Sequence, residues 1–421
     1  MNGKQEMTPG RLVLWAFSIL GVILIVYRFA MGLGAVTNLT DGYPWGFWIG
    51  VDILAGIALA SGGFVLAGLV HLFGGKRFHA LTRPAILTAF LGYLLFIFGL
   101  AVDLGRPWNI WTPMIFWNHA SPMFEVGWCV MLYTTVLFME FLPSVFERWK
   151  LDRVHHLWRE IVPWIIIAML GLFTQAMTFN VYWTLIVVLI LLTWEILMRV
   201  DIMPRDQQMP ILLIMAGIIF STMHQSSLGS LFLLAMQKLH PLWYSPILPI
   251  LFFLSAVMVA IPMVIIESGF SSRLLGKGDH FDSLSTVSEA MPYFLGLYLF
   301  IKLGDVFLRG VGLSALELNA QSISWWIEML VGVVLPLSLF MTAYVRENRL
   351  WLQFASWLVV LGLILNRLNV SVVGINVPIW ENYYPMWSEV AITIGIISIG
   401  LLVFRWASMN LPIYGEEGGH A

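Results

Sequence analysis

From Leu12 to Ala30, and then repeatedly to the end of the chain, apolar runs of about 20 residues follow one another, each long enough to cross a hydrocarbon core. They lie near 11–32, 45–72, 83–103, 124–146, 159–178 and 181–199, then near 208–236, 243–268, 288–310, 323–344, 350–369 and 385–407. Such runs predict an all-α fold, a polytopic membrane helical bundle of about 12 transmembrane helices. The runs at 159–178 and 181–199 share so short a link that a count of about ten stays open. Composition agrees: 59% of residues are hydrophobic and 11% charged, too little polar surface to cover a soluble domain. The first run is longer than a signal-peptide core and carries no small-residue cleavage site, so it is predicted to stay as an anchor. The expected organisation is an N-terminal tail 1–10, a membrane domain 11–407 and a C-terminal tail 408–421.

Charge sets the orientation. If every run crosses once, the basic residues from Lys4 and Arg11 through Lys76, Arg77, Arg83, Arg148, Arg199, Arg205, Arg273, Lys277 and Arg346 to Arg405 gather on one side. Arg106, Lys238 and Arg309 fall on the other, so both termini are predicted to be cytoplasmic. The opposite loops, such as "DLGRPWNIWTPMIFWNHASP", are dense in Trp, Tyr and Pro, which suits an aromatic belt or a docking face for an outer subunit. A net charge of −2 and no extended run of like charge give no reason to expect a nucleic-acid partner.

Cofactors are constrained by what the chain lacks. Cys129 is the sole cysteine, which excludes an internal disulfide and leads to the expectation of no iron–sulfur cluster in this chain. His71 and His224 are placed near opposite ends of their runs and the remaining histidines in loops or tails, so no facing pair of axial ligands is expected and the reading is no haem. No metal-ligand spacing occurs either, and the metal expectation is none.

Ionisable groups inside the runs are costly unless paired or wetted. Asp52, Asp103, Glu125, Lys302, Asp305, Glu328, Arg367 and Glu389 are expected in the outer halves of their helices, Tyr93 near the middle, and Arg83, Glu140, Glu195 and Glu267 toward the inner end. Lys302 and Asp305 are three apart and are expected to pair. Glu140 and Glu195 read as ordinary interfacial carboxylates. Asp52 and Glu125 have apolar neighbours and no basic residue within a turn, the setting in which a carboxyl takes up and gives back protons.

The stretches "YPWGFWIGVDILAGIALASGGF" (43–64), "RPAILTAFLGYLLFIFGLAVDLGRPWN" (83–109), "FEVGWCVMLY" (124–133), "STMHQSSLGSL" (221–231) and "HPLWYSPILPILFFLSA" (240–256) resemble the NrfD/PsrC family of quinone-interacting membrane subunits. The likeness is closest to the HybB-type subunits of nickel–iron hydrogenases, with the membrane subunit of the Qrc menaquinone reductase as another match. It covers nearly the whole chain, apart from the pair at 157–205, which the HybB pattern lacks.

The resemblance implies a function: exchange of electrons between an iron–sulfur partner on the periplasmic side and the menaquinone or other quinone pool, in the bacterial inner membrane, coupled to proton translocation. It implies further catalytic or cytochrome c subunits as partners. It also assigns His224, Gln225, Ser226 and Asp103 to a quinone pocket, and Arg83, Tyr93, Glu125 and Glu267 to a proton path. On the expected depths His224 and Glu125 are outer, Tyr93 central, Arg83 and Glu267 inner. A secondary transporter and a purely structural anchor are the alternatives; the first is expected to show two similar halves, and residues 1–200 and 201–421 show no such pairing.

Overall fold

A computed structural model describes residues 8–43, 45–71, 75, 78–200, 211–276, 280–376 and 383–414. Lys4, Lys76, Arg77, Arg205 and Lys277 and the side chain of His71 lie outside the described residues. Among the described residues twelve helices are long and apolar enough to cross a membrane: α1 Pro9–Met31, α2 Ile49–Val70, α3 His79–Asp103, α4 Pro122–Arg148, α5 Asp152–Thr178, α6 Val181–Arg199, α7 Ile211–Leu233, α8 Leu248–Leu275, α9 Phe281–Leu308, α10 Ala320–Met341, α11 Arg349–Val373 and α12 Trp387–Asn410. Among the described residues there is no strand, only two isolated bridges.

The short link that left the count open is a real turn. Phe179 takes a left-handed φ of 49°, which ends α5, and the Asn180 side chain accepts a hydrogen bond from the Tyr182 N–H at 2.9 Å, which starts α6. The two segments are thus an antiparallel hairpin of two spans, and the count among the described residues is twelve.

Burial separates centre from rim. In α2, 78% of the apolar window is buried by the protein itself, against 11% in α6. Helices α2, α3, α4 and α7 pack around one another, and α8 joins this group to a second one made with α9, α10 and α11. The hairpin α5–α6 lies against α4 and α7, while α1 and α12 pair closely and lean on α3. The α1–α12 approach depends on Gly21 and Gly395: a methyl group on either would sit 2.8 or 2.6 Å from the other's Cα. In lipid, where burial between helices gains little hydrophobic energy, such small-residue contacts supply the packing.

Three spans contain π-helical turns, at Ile49–Ala55, Leu330–Val334 and Asn369–Val373. The first carries Asp52, the second follows Glu328 and the third follows Arg367. Extra residues of this sort inside a helix re-aim side chains, and here they adjoin buried charge.

Candidate functional site

The interior of α2, α3, α4 and α7 holds a polar group built from helix periodicity. Tyr93 on α3 and His224 on α7 are fully buried, and the Tyr93 hydroxyl lies 2.9 Å from His224 Nδ1. With the phenol donating, the ring proton sits on Nε2, which has no hydrogen-bond partner. Tyr133 on α4 stands edge-on to Tyr93, ring centroids 4.6 Å apart. Ser221, one turn before His224, lies close to both phenols. The Tyr133 hydroxyl and Ser221 Oγ are buried with no partner, as is Gln225 Oε1. Buried polar atoms are bonded in the great majority of cases, so several unpartnered ones in one place mark a point where polar chemistry is expected.

His224 is therefore not at the outer end of its helix. The hydroxyl-rich stretch that suggested an end stays helical: Ser226 and Ser227 donate to the Met223 carbonyl at 2.9 and 2.8 Å, and Ser230 donates to that of Ser226 at 3.3 Å. These back-bonds hide the hydroxyls in the helix, α7 continues to Leu233, and His224 shares the level of Tyr93 near mid-span.

Of the residues assigned to a quinone pocket, Gln225 follows His224 in the same buried stretch of α7, while Ser226 and Asp103 lie apart. Gln225 Nε2 donates to the Ile57 carbonyl at 3.0 Å and ties α7 to α2. Ser226 is about 200° around the helix from His224 and half-buried on another face. Asp103 ends α3, about 15 Å along the axis from Tyr93. Its neighbours are Arg28, which donates to the carbonyls of Val102 and Leu104 at 2.6 and 2.5 Å, and Glu389. Glu389 accepts from the Asn38 and Met386 N–H groups and the Tyr383 hydroxyl, and Asp52 accepts from Thr393 at 2.8 Å. Asp103 and Asp52 thus belong to a cluster where α1, α2, α3 and α12 meet.

The residues assigned to a proton path spread along the bundle. Glu125 is in the first turn of α4, partly buried and about 12 Å along that helix from Tyr133. Arg83 pairs with Glu147 at 2.8 Å and donates to the Pro412 carbonyl at 3.0 Å. Glu267 on α8 is buried and accepts from Tyr414 at 2.8 Å and Ser271 at 3.2 Å. Glu140 was read as interfacial but is 6% exposed inside the bundle. A methyl group at Gly217 would come 3.3 Å from its carboxylate and 3.9 Å from the Tyr133 ring. Tyr133 and Ser221 were also missed, although spacing held a signal: Tyr133 and Glu140 are seven apart, Ser221 and His224 three apart, each pair on one helix face.

A second network occupies α8, α9, α10 and α11. Glu328 accepts from Trp243 at 2.9 Å and from Asn366 and Asn369, each at 2.7 Å. Arg367 donates to Asn366 Oδ1 at 2.8 Å and Ser255 Oγ at 2.7 Å and stacks 3.7 Å over the Phe252 ring. The expected Lys302–Asp305 pair is not formed. Asp305 binds Arg309 at 2.7 Å, one turn on, and Lys302 donates to the Leu242 carbonyl at 3.4 Å. The planar guanidinium matches a carboxylate better than an ammonium does, and Arg309 takes it.

The family model described as polysulphide reductase, NrfD, matches residues 35–378. The chain belongs to the NrfD family. A protein of Nitratidesulfovibrio vulgaris (strain Hildenborough) is 36% identical, covering 99% of this chain and 97% of its own length. The probable Ni/Fe-hydrogenase 2 b-type cytochrome subunit of Escherichia coli (strain K12) is 30% identical over 94% of this chain and 90% of its own. The integral membrane subunit of the N. vulgaris menaquinone reductase is 25% identical over 99% and 95%.

The E. coli relative corrects one expectation. It is named a b-type cytochrome subunit, and the sequence reading of a haem-free chain does not stand against that name. Among described histidine side chains only His224 is fully buried, with Nε2 unpartnered and Nδ1 on Tyr93. One such ring is not the pair of facing ligands a bis-histidine b-type haem takes, and described His, Cys, Asp and Glu residues form no group of three fit for a metal. These residues do not fit the group, and no step below passes through it.

Proposed function

We propose that this chain is the quinone- or quinol-reacting membrane subunit of a multi-subunit respiratory oxidoreductase, with the Tyr93–His224 pair as its proton-exchange element. Membership of the NrfD family and the hydrogenase and menaquinone reductase subunits among its relatives support the reaction class. The observation that carries the residue assignment is the buried Tyr93–His224 hydrogen bond with Nε2 left unpartnered.

Each quinone reduced takes two electrons and two protons. Electrons come from a partner subunit, and the chain supplies protons. His224 gives the Nε2 proton to the reduced quinone oxygen while Nδ1 takes the proton of Tyr93, and Tyr93 is refilled from the Glu267 side. Quinol oxidation runs the same transfers backwards. Gln225 Oε1 is the acceptor for the quinol hydroxyl. Glu125 exchanges protons near the Asp103 end.

The bias of basic residues to one side supports cytoplasmic termini, and with that orientation Arg83 and Glu267 lie at the inner end and the loop after α3 outside. There Trp108, Ile115 and Phe116 are 66–68% exposed, an aromatic and apolar face suited to an iron–sulfur partner. His224→Ala tests the assignment in the assembled complex. Quinone-linked electron transfer is expected to fall about a hundredfold, while transfer from the partner to an artificial acceptor is kept; equal quinone-linked rates in mutant and parent would contradict it.

A further inference from the structure

After α12 the chain from Leu411 to Tyr414 stays against the bundle. Leu411 and Ile413 are buried against Leu87 and Ala407, and the segment is tied down by Arg148, which donates to the Asn410 carbonyl at 2.7 Å, and by Arg83 on Pro412. This holds the half-buried Tyr414 with its hydroxyl 2.8 Å from Glu267 Oε1 and 2.6 Å from Ser271 Oγ. Burial pushes the Tyr414 hydroxyl upward from its ordinary range, so it stays a protonated donor.

Glu267 also lines a cavity of about 10 Å³ between α2, α3 and α8, near the size that admits one water. Thr88 lines the same cavity, and its buried hydroxyl has no hydrogen-bond partner. Thr88 lies about 7.5 Å along α3 below Tyr93. Side chains of three kinds thus adjoin one another: a half-buried phenol, a buried carboxyl, and an unpartnered hydroxyl, the last two being the polar groups on an otherwise apolar opening.

We propose that Tyr414 is the inner entry of the proton route, passing protons to Glu267, and that Thr88 carries them on through the cavity toward Tyr93. The inference rests on the reading of Tyr93 and His224 given above. In each transfer Tyr414 gives its hydroxyl proton to the Glu267 carboxylate as it takes one from hydronium at the surface, which leaves water, so the phenol is protonated before and after. Glu267 then releases its proton to water held at Thr88 and is ionised again.

The test uses the complex with its native partner subunits in lipid vesicles, a water-soluble quinone as acceptor, and rates in light and heavy water. Tyr414→Phe keeps the ring and removes the hydroxyl. Its quinone-linked rate is expected to fall on the order of tenfold with a larger solvent isotope effect, while transfer to an artificial acceptor at the partner is unchanged. A role in packing alone would leave the isotope effect where it was, and a parent rate with a parent isotope effect overturns the proposal. Should Tyr414→Phe lower the amount of complex, Thr88→Val decides: it is expected to slow turnover with the same isotope signature, and parent behaviour there overturns the route. Glu267→Gln and His224→Ala run alongside. If both keep the parent rate, the reading of the site itself fails and the inference falls with it; if both are slow and Tyr414→Phe is not, only the entry is wrong.

Discussion

Two of the buried polar regions in this bundle, one around Glu328 and Arg367 and one around Tyr93 and His224, are bonded differently. Around Glu328 and Arg367 the charged groups are heavily bonded: the carboxylate takes three side-chain donors and the guanidinium has acceptors and an aromatic face, with Arg367 Nε alone of its nitrogens left without a partner. Around Tyr93 and His224 the Tyr93–Nδ1 bond is made and Gln225 Nε2 is tied to Ile57, while Nε2 of His224, Ser221 Oγ, the Tyr133 hydroxyl and Gln225 Oε1 have no partner. A satisfied network in low dielectric is rigid, and it fixes how α8, α10 and α11 sit together. A sparsely bonded one keeps donors and acceptors available, which proton exchange requires. The contrast assigns scaffold to the first and chemistry to the second.

The largest effect expected from this comparison is structural. Glu328→Ala leaves Trp243 and two asparagine donors buried without their acceptor, a loss on the order of 3–5 kcal/mol. Little assembled protein is expected in the membrane, and normal yield and thermal stability would erase the distinction between the two regions. Glu125→Gln sharpens it from the other side: the protein assembles, but quinone-linked transfer slows severalfold relative to transfer to an artificial acceptor. An unchanged ratio of those rates takes Glu125 out of proton handling. The smallest effect belongs to the half-exposed ion pairs. Glu160→Ala removes a 2.7 Å partner of Arg199, which keeps Glu195, and costs less than about 1 kcal/mol in thermal stability.

Length and hydropathy made all twelve spans legible, because a bilayer demands about 20 apolar residues and little else. The α5–α6 turn was ambiguous only because its capping by Asn180 is local geometry. Depth was misread at His224, where serine back-bonding lets a polar stretch remain buried helix. Partner choice was not legible at Asp305, since Arg309 and Lys302 both lie within a turn and only geometry separates them. Asp103 and His224 both read as outer helix residues in sequence, yet they end in different helix clusters. Tyr414 lies past the last apolar run, and nothing in its neighbourhood signals a contact with Glu267.

The most direct measurement of the central claim is a double-mutant cycle on Tyr93→Phe and His224→Ala, reading quinone-linked electron transfer in the assembled complex against transfer to an artificial acceptor. If the two side chains pass one proton between them, each change slows the quinone-linked rate and the double variant is no slower than His224→Ala alone. Fold-losses that multiply in the double variant, or a Tyr93→Phe complex at the parent rate, would contradict a shared proton at this pair.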